Sequence, residues 1–417
     1  MTTGLLLLTI FAAAFALIAR RLSSTILTPP IAFLGFGFLV AQTGLIPADR
    51  AQPILHVVAE VALILLLFLD AAQIDLKALR QRHVWPARML LVGLPLAIAL
   101  GAVVNWFFFP SWPFVAALLL AAILAPTDAA LGQAVVTNPL VPERVRRALT
   151  VESGLNDGLA LPLVLLFASL SAEVMGQDGT NWVLFGAKQL LLGPAAGVFF
   201  GVLGGCALLA AKKRELTAEA FEGVGAIALA GLSYLAATEI GGNGFISAFV
   251  AGLAFGHVVK GQCKFVYEFT ESEGLLLTWG AFFLLGLALV PEALQHLDGG
   301  ALAVILISLF VVRPLAIWVS LSGTDASPVT RLFFGWFGPR GLATALFALL
   351  VVHKIDHQLA EPVLMLAINS VWISALLHGV TANPGASWYA ARVAAMGNCP
   401  ETEPIENSAK PVRTHEP

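Results

Sequence analysis

Nine consecutive residues, Thr150-Val151-Glu152-Ser153-Gly154-Leu155-Asn156-Asp157-Gly158, set two carboxylates among polar side chains in an otherwise apolar stretch. An ionised carboxylate at bilayer depth costs about 2.5–3.5 kcal/mol on insertion scales and more in simulations. A chain keeps such a group there with a partner, a proton or a cation, so this segment is expected to bind positive charge within a membrane. On a helix, Ser153 and Asp157 share one face, and so do Glu152 and Asn156. The two faces differ by a step of about 100°. Asp157 and Ser153 then form an oxygen cluster with Asn156 beside it, while Glu152 points to a different neighbour. A structural hydrogen-bond network between packed helices is the competing reading of both acids.

Other polar residues fall inside apolar runs. In Ala125-Pro126-Thr127-Asp128 the proline removes a backbone donor and disturbs the preceding turn. The freed carbonyls and the Thr127 hydroxyl are hard oxygen donors suited to a small cation. Asp128 either joins them or caps the half-helix that follows, since acids favour helix N-termini. Asp70 closes another apolar run, where it meets either water or the site, and Glu60 lies deeper in that run, where a structural pairing is expected. Arg313 and Arg340 also fall within apolar runs. Arginine stays protonated, so each needs a carboxylate or a set of carbonyls, and Glu152 and Asp128 are the obvious partners. These pairs are read as scaffold. The eight histidines are read as interfacial or structural; only His353 and His357 are four apart, without a third ligand nearby. The chain has no H-E-x-x-H or G-x-S-x-G to supply a metal site or an activated nucleophile, so an enzyme is not expected. No cofactor is expected either.

These residues need elements that hold them in lipid. The 417 residues are 58% hydrophobic and 12% charged, with a mean hydropathy of +0.87. Soluble domains carry about 25% charged residues. The composition predicts an all-α polytopic membrane protein, because lipid offers the backbone no hydrogen bonds. The apolar runs are of helix-spanning length rather than the shorter alternating strands of a membrane barrel. A net charge of −3 implies no nucleic-acid partner. Cys206, Cys263 and Cys399 are far apart and suggest no disulfide framework.

About thirteen spans are predicted, at 4–19, 26–46, 53–71, 86–109, 113–136, 145–170, 182–210, 218–238, 243–259, 274–291, 300–321, 330–352 and 361–381. Connections after odd-numbered spans, with the first turn or so of the next helix, carry fifteen basic residues: Arg20, Arg21, Lys77, Arg80, Arg82, Arg88, Arg144, Arg146, Arg147, Lys212, Lys213, Arg214, Lys260, Lys264 and Arg331. Connections after even-numbered spans carry two, Arg50 and Lys354. Basic loops stay in the cytoplasm, which places the N-terminus outside and the C-terminus inside. The apolar start precedes Arg20 and Arg21 rather than following them, as in a first spanning helix and not a cleaved signal. Residues 1–383 are read as the membrane domain and 384–417 as a mobile cytoplasmic tail. The fifth and twelfth spans are both interrupted, by Pro126-Thr127-Asp128 and by Gly338-Pro339-Arg340-Gly341. Paired interrupted segments in corresponding halves point to a transporter's binding site.

In this order the motifs resemble the monovalent cation/proton antiporters, the sodium/proton exchanger group. Thr127-Asp128 is similar to the family's T-D motif at an unwound helix. Glu152-Ser153-Gly154-Leu155-Asn156-Asp157 is similar to the E-S-x-x-N-D signature of its electroneutral branch, where the electrogenic branch has a second Asp in place of Asn156. Arg313-Pro314 resembles the arginine that pairs with the glutamate, here Glu152. Gly338-Pro339-Arg340-Gly341 resembles the R-G break. Ala129 stands where the family often has proline, and Asp70 where it often has Glu. The resemblance covers about residues 5–385. It implies inverted repeats with two discontinuous helices, core helices at about 86–170 and 300–381, scaffold and dimerisation helices at about 4–71 and 182–291, and a homodimer. It implies a site for transported Na⁺ at Asp157, Ser153, Thr127 and Asp70, with Asn156 and Asp128 adjoining. The expected function is exchange of Na⁺, or of Li⁺ or K⁺, for H⁺ across a bacterial inner or plasma membrane, in the service of pH homeostasis. Asp157 would hold cation or proton in turn, and neutral Asn156 would make the exchange electroneutral. A carrier or channel for another small solute on the same broken-helix scaffold is the alternative.

Overall fold

The structure, a computed structural model, describes residues 2–22, 27–46, 48–74, 84–174 and 182–403. The basic connection with Lys77, Arg80 and Arg82 and the chain end from 404 lie outside the described residues. Among the described residues there are helices and no β-strand, as lipid requires of a chain this apolar. The first half holds α1 (Thr2–Leu22), α2 (Pro29–Gln42), α3 (Ala48–Ala72), α4 (Val84–Arg88), α5 (Leu94–Phe108), α6 (Phe114–Leu124), α7 (Ala129–Val136) and α8 (Glu143–Val174). Next come α9 (Trp182–Lys213), α10 (Glu219–Glu239), α11 (Gly244–Val259), α12 (Lys264–Ala288) and α13 (Val290–Gln295). The last third holds α14 (Gly299–Ile307), α15 (Arg313–Ser320), α16 (Pro328–Trp336), α17 (Leu342–Val351) and α18 (His357–Met396).

Each predicted span falls on helix among the described residues, and seven helical stretches there are long and apolar enough to cross a membrane. Two boundaries differ by ten residues or more. The helix of the tenth span starts at Lys264 rather than 274, because acidic residues such as Glu268 and Glu271 lower the hydropathy without stopping the helix. The last helix continues to Met396, past the predicted span end at 381 and the predicted tail boundary at 384. Hydropathy marks where lipid ends, not where helical hydrogen bonding ends.

Two irregularities recur seven spans apart. A π turn at Met89–Gly93 joins α4 to α5, and another at Ser308–Val312 joins α14 to α15. Leu94 N–H reaches Met89 O, and Arg313 N–H reaches Ser308 O. In each case a proline, Pro95 or Pro314, follows the π turn after one intervening residue. A proline has no N–H for the i→i−4 ladder and its ring crowds the carbonyl there, so the helix takes one extra residue. The second irregularity is the pair of breaks, 125–128 between α6 and α7 and 337–341 between α16 and α17.

Three packings position the functional residues. Helix α8 contacts α6, α3 and α17. The α3–α11 contact is backbone-close: a Cβ at Gly252 would lie 2.0 Å from Phe68 O, and one at Gly256 would lie 2.1 Å from Ala72 O. Only glycine allows this approach, which fixes the turn of α3 that carries Asp70. At the basic-loop end of the bundle, Arg144 of α8 donates to Pro400 O (2.7 Å) and pairs with Asp325 (2.7 Å), and its guanidinium lies 3.8 Å from the Trp85 ring centroid. Buried Glu401 accepts from Ser327 N–H (2.9 Å) and Thr330 Oγ1 (2.7 Å), and Tyr389 of α18 is fully buried beside them. The stretch from 384 to 403 is therefore packed helix and turn.

Candidate functional site

The two breaks meet each other. Asp128 N–H donates to Pro339 O at 2.9 Å. Asp128 Oδ2 accepts Leu342 N–H at 2.8 Å, and Oδ1 accepts Leu131 N–H at 3.4 Å. One carboxylate thus caps the N-termini of both α17 and α7, where the helix dipoles are positive. Arg340 does the converse. Its Nη1 donates to Ala125 O (2.8 Å) and Pro126 O (3.2 Å), the free carbonyls at the end of α6, and its Nη2 reaches Ser308 Oγ (3.4 Å). Its backbone N–H donates to Ser374 Oγ at 2.7 Å. Of the two partners open to Arg340 in sequence, the carbonyl set receives these hydrogen bonds. The free carbonyls at the break are accordingly occupied by a guanidinium. Glycine makes room for both charges: a Cβ at Gly341 would lie 1.8 Å from Asp128 Oδ2, and one at Gly338 would lie 1.8 Å from Arg313 Nε.

Beside this crossing, the polar face of α8 meets Thr127. Glu152 and Arg313 form the expected ion pair, with Arg313 Nη1 3.2 Å from Oε1 and Nη2 at 3.3 and 3.4 Å from the two oxygens. Both are almost wholly buried, at 3% and 4% exposure. Thr127 Oγ1 donates to Glu152 Oε2 at 3.1 Å and lies 3.1 Å from Ser153 Oγ. Asn156 Nδ2 donates to the same Thr127 oxygen. A hydroxyl has one proton and two lone pairs. If the proton goes to Glu152, Ser153 and Asn156 fill both lone pairs, and Thr127 Oγ1 is saturated. The helical wheel groups Ser153 with Asp157 and sends Glu152 elsewhere; the structure joins Glu152, Ser153 and Asn156 at Thr127. The reason is the break, which inserts Thr127 between the two faces.

Asp157 stands apart from that hub. Its Oδ1 and the neighbouring Asn156 Oδ1 are both buried without a hydrogen-bond partner. Asp70, Asp128 and Glu152 all lie within electrostatic reach of Asp157. Asp70 comes from α3 and packs at Gly154, one turn before Asp157 on α8, where a Cβ would lie 3.7 Å from Asp70 Cβ. Thr344 Oγ1 of α17 is likewise buried and unpartnered. Among the described residues, no three His, Cys, Asp or Glu side chains are grouped closely enough to hold a metal ion by themselves. Sequence reasoning missed Ser308, Ser374 and Thr344. Each is a small polar residue in an apolar run, a signal shared by many residues that merely bond their own helix.

Residues 6–388 match the family described as sodium/hydrogen exchanger, transmembrane. The chain is 27% identical over 398 residues to the K(+)/H(+) antiporter NhaP of Alkalimonas amylolytica, covering 94% of this chain and 67% of that protein. It is also 27% identical to the K(+)/H(+) antiporter NhaP2 of Shewanella sp. (strain ANA-3), covering 94% and 66%. The chain thus spans about two thirds of the length of these relatives. The Na(+)/H(+) antiporter 2 of Zygosaccharomyces rouxii is 28% identical over 275 residues, covering 61% of this chain and 33% of that protein. In fold, the chain is similar to the sodium proton antiporter MjNhaP1 of Methanocaldococcus jannaschii at pH 8, with a TM-score of 0.77, 20% identity and coverage of 95% and 99%.

Proposed function

We infer that this chain, which belongs to the sodium/hydrogen exchanger family, exchanges a monovalent cation for a proton across a membrane by alternate occupation of Asp157. The observation that carries the reading is the pair of buried, unpartnered oxygens, Asp157 Oδ1 and Asn156 Oδ1, next to a Thr127 hydroxyl already saturated. Buried polar atoms normally have partners. A desolvated carboxylate beside other acids needs a positive ligand, and a proton and a cation both qualify but cannot share one site. Asp70 and Ser153 adjoin this place and complete its oxygen set, and Asp128 contributes charge while capping two helices. Glu152, Arg313 and Arg340 are scaffold: the first two neutralise each other, and the third holds the carbonyl end of α6.

One carboxylate changes state in the Asn156-Asp157 pair, so one proton is exchanged for one cation without net charge movement. The relatives' names include both K⁺ and Na⁺; Na⁺ is the proposed principal substrate, with K⁺ and Li⁺ as further substrates. The core helices at about 86–170 and 300–381 move against the scaffold helices to alternate access. The protein acts as a homodimer in a bacterial inner or plasma membrane, with its basic loops inside, and serves pH homeostasis. The test is loss of an imposed pH gradient in everted vesicles on adding Na⁺, Li⁺ or K⁺. The unsubstituted chain dissipates the gradient with at least one of them. Asp157→Asn does not, and exchange retained in that variant would sink the assignment.

A further inference from the structure

A second polar recess lies away from the Thr127 hub. A cavity of about 200 Å³ opens between α3, α11 and α17. Its walls include His56 and Glu60 from α3, Phe245 from α11, Leu346 and Leu349 from α17, and His353 just beyond α17. Glu60 lies about 10 Å along α3 from residue 53, where the predicted span begins, at 1.5 Å per residue. A carboxylate at that depth does not face lipid; it faces water or a partner. Tyr234 of α10 donates its hydroxyl to Glu60 Oε1, which orients the carboxylate. The His56 and His353 rings lie 5.7 Å apart between centroids in its wall. Phe249, one helical turn beyond Phe245, packs on Gly158, where a Cβ would lie 2.5 Å from its ring. Gly158 directly follows Asp157.

We propose that this recess is the outer vestibule of the exchange pathway, that Glu60 is the carboxylate on which a hydrated monovalent cation first docks, and that the Phe249 ring against Gly158 seals the vestibule from Asp157. The proposal rests on the exchange reading above and on the orientation given by the basic loops, since the recess opens at the opposite end of the bundle. Glu60 is the one carboxylate among the lining residues, and a carboxylate in a recess raises the local concentration of cations and so lowers the concentration needed to load the carrier from that side. From the other side it has no such effect.

The experiment measures half-saturating Na⁺, and separately K⁺, in right-side-out and in everted vesicles. Glu60→Gln raises the half-saturating concentration about threefold or more when the cation is added on the vestibule side, the effect of removing one water-screened charge. It leaves the value from the basic-loop side unchanged. Glu60→Asp keeps the charge and stays close to the unsubstituted chain on both sides, which separates the role of charge from a structural one. An equal shift from both sides, no shift from the vestibule side, or an Asp variant as impaired as the Gln variant would overturn the proposal. Absence of exchange by the unsubstituted chain from both sides would instead remove the exchange reading itself.

Discussion

Thr127 has one hydroxyl and three polar neighbours, Glu152, Ser153 and Asn156. Removing that hydroxyl leaves buried polar groups short of partners, at about 1–3 kcal/mol. Thr127→Val is therefore expected to lower the melting temperature in detergent and to slow exchange, and a variant as stable as the parent would contradict the hub. The Glu152–Arg313 pair predicts a sharper result. Breaking a buried ion pair from one side costs about 3–5 kcal/mol, whereas replacing both partners by apolar groups costs far less. Arg313→Met alone should destabilise strongly, and adding Glu152→Leu should restore part of the loss. A double-mutant cycle with no coupling would rule the pair out as scaffold. That each buried arginine needs a carboxylate or carbonyls was legible in the residues, which left Glu152 and Asp128 open as partners; the pairing of Arg313 with Glu152 was implied by the family resemblance. The Thr127 hub was not legible. It depends on where the fifth span breaks relative to α8, and helical spacing along α8 alone says nothing of that.

The two broken helices close each other's ends. Asp128 serves two positive helix N-termini and Arg340 the carbonyl end of α6. Gly341 is the position that permits it. Gly341→Ala would put a Cβ 1.8 Å from Asp128 Oδ2, so it is expected to destabilise by about 1–3 kcal/mol and to impair exchange. Gly132→Ala in α7 meets open space and should leave both unchanged; equal effects at the two glycines would count against reciprocal capping. The breaks themselves were legible from Pro126 and from Gly338-Pro339. Their mutual contact, between segments some two hundred residues apart, was not. The end of α18 adds a pH prediction outside the membrane. Burial pushes the Glu401 carboxyl up, but hydrogen bonds from Thr330 and Ser327 outweigh it and hold it below its ordinary value. A depressed carboxylate stabilises the fold above its unfolded-state pKa, and that contribution disappears as pH falls through the folded-state value. Glu401→Gln should thus lower the melting temperature at neutral pH, with the difference from the parent shrinking on the acid side of the ordinary glutamate range. A difference independent of pH would refute this.

At the scale of the whole molecule, the all-helical architecture was legible in the long apolar runs, because lipid permits so few backbone solutions. The continuation of α18 and the packed segment around Glu401 were not legible, because outside lipid hydropathy no longer constrains the chain. The proposed exchange cycle needs two features: one carboxylate beside a neutral amide that takes proton or cation in turn, and two groups of helices that move against each other. Asn156 predicts that exchange in proteoliposomes does not respond to an imposed membrane potential, and a response would contradict one-for-one exchange. The claim beneath all of this is that Asp157 holds a cation or a proton but never both. Proton release on adding Na⁺ or K⁺ to purified protein in weak buffer tests it most directly. The account predicts release of up to about one proton per chain, as linkage requires of a single exchanging carboxylate, and none from Asp157→Asn. Cation binding without proton release, or undiminished release from Asp157→Asn, would contradict it.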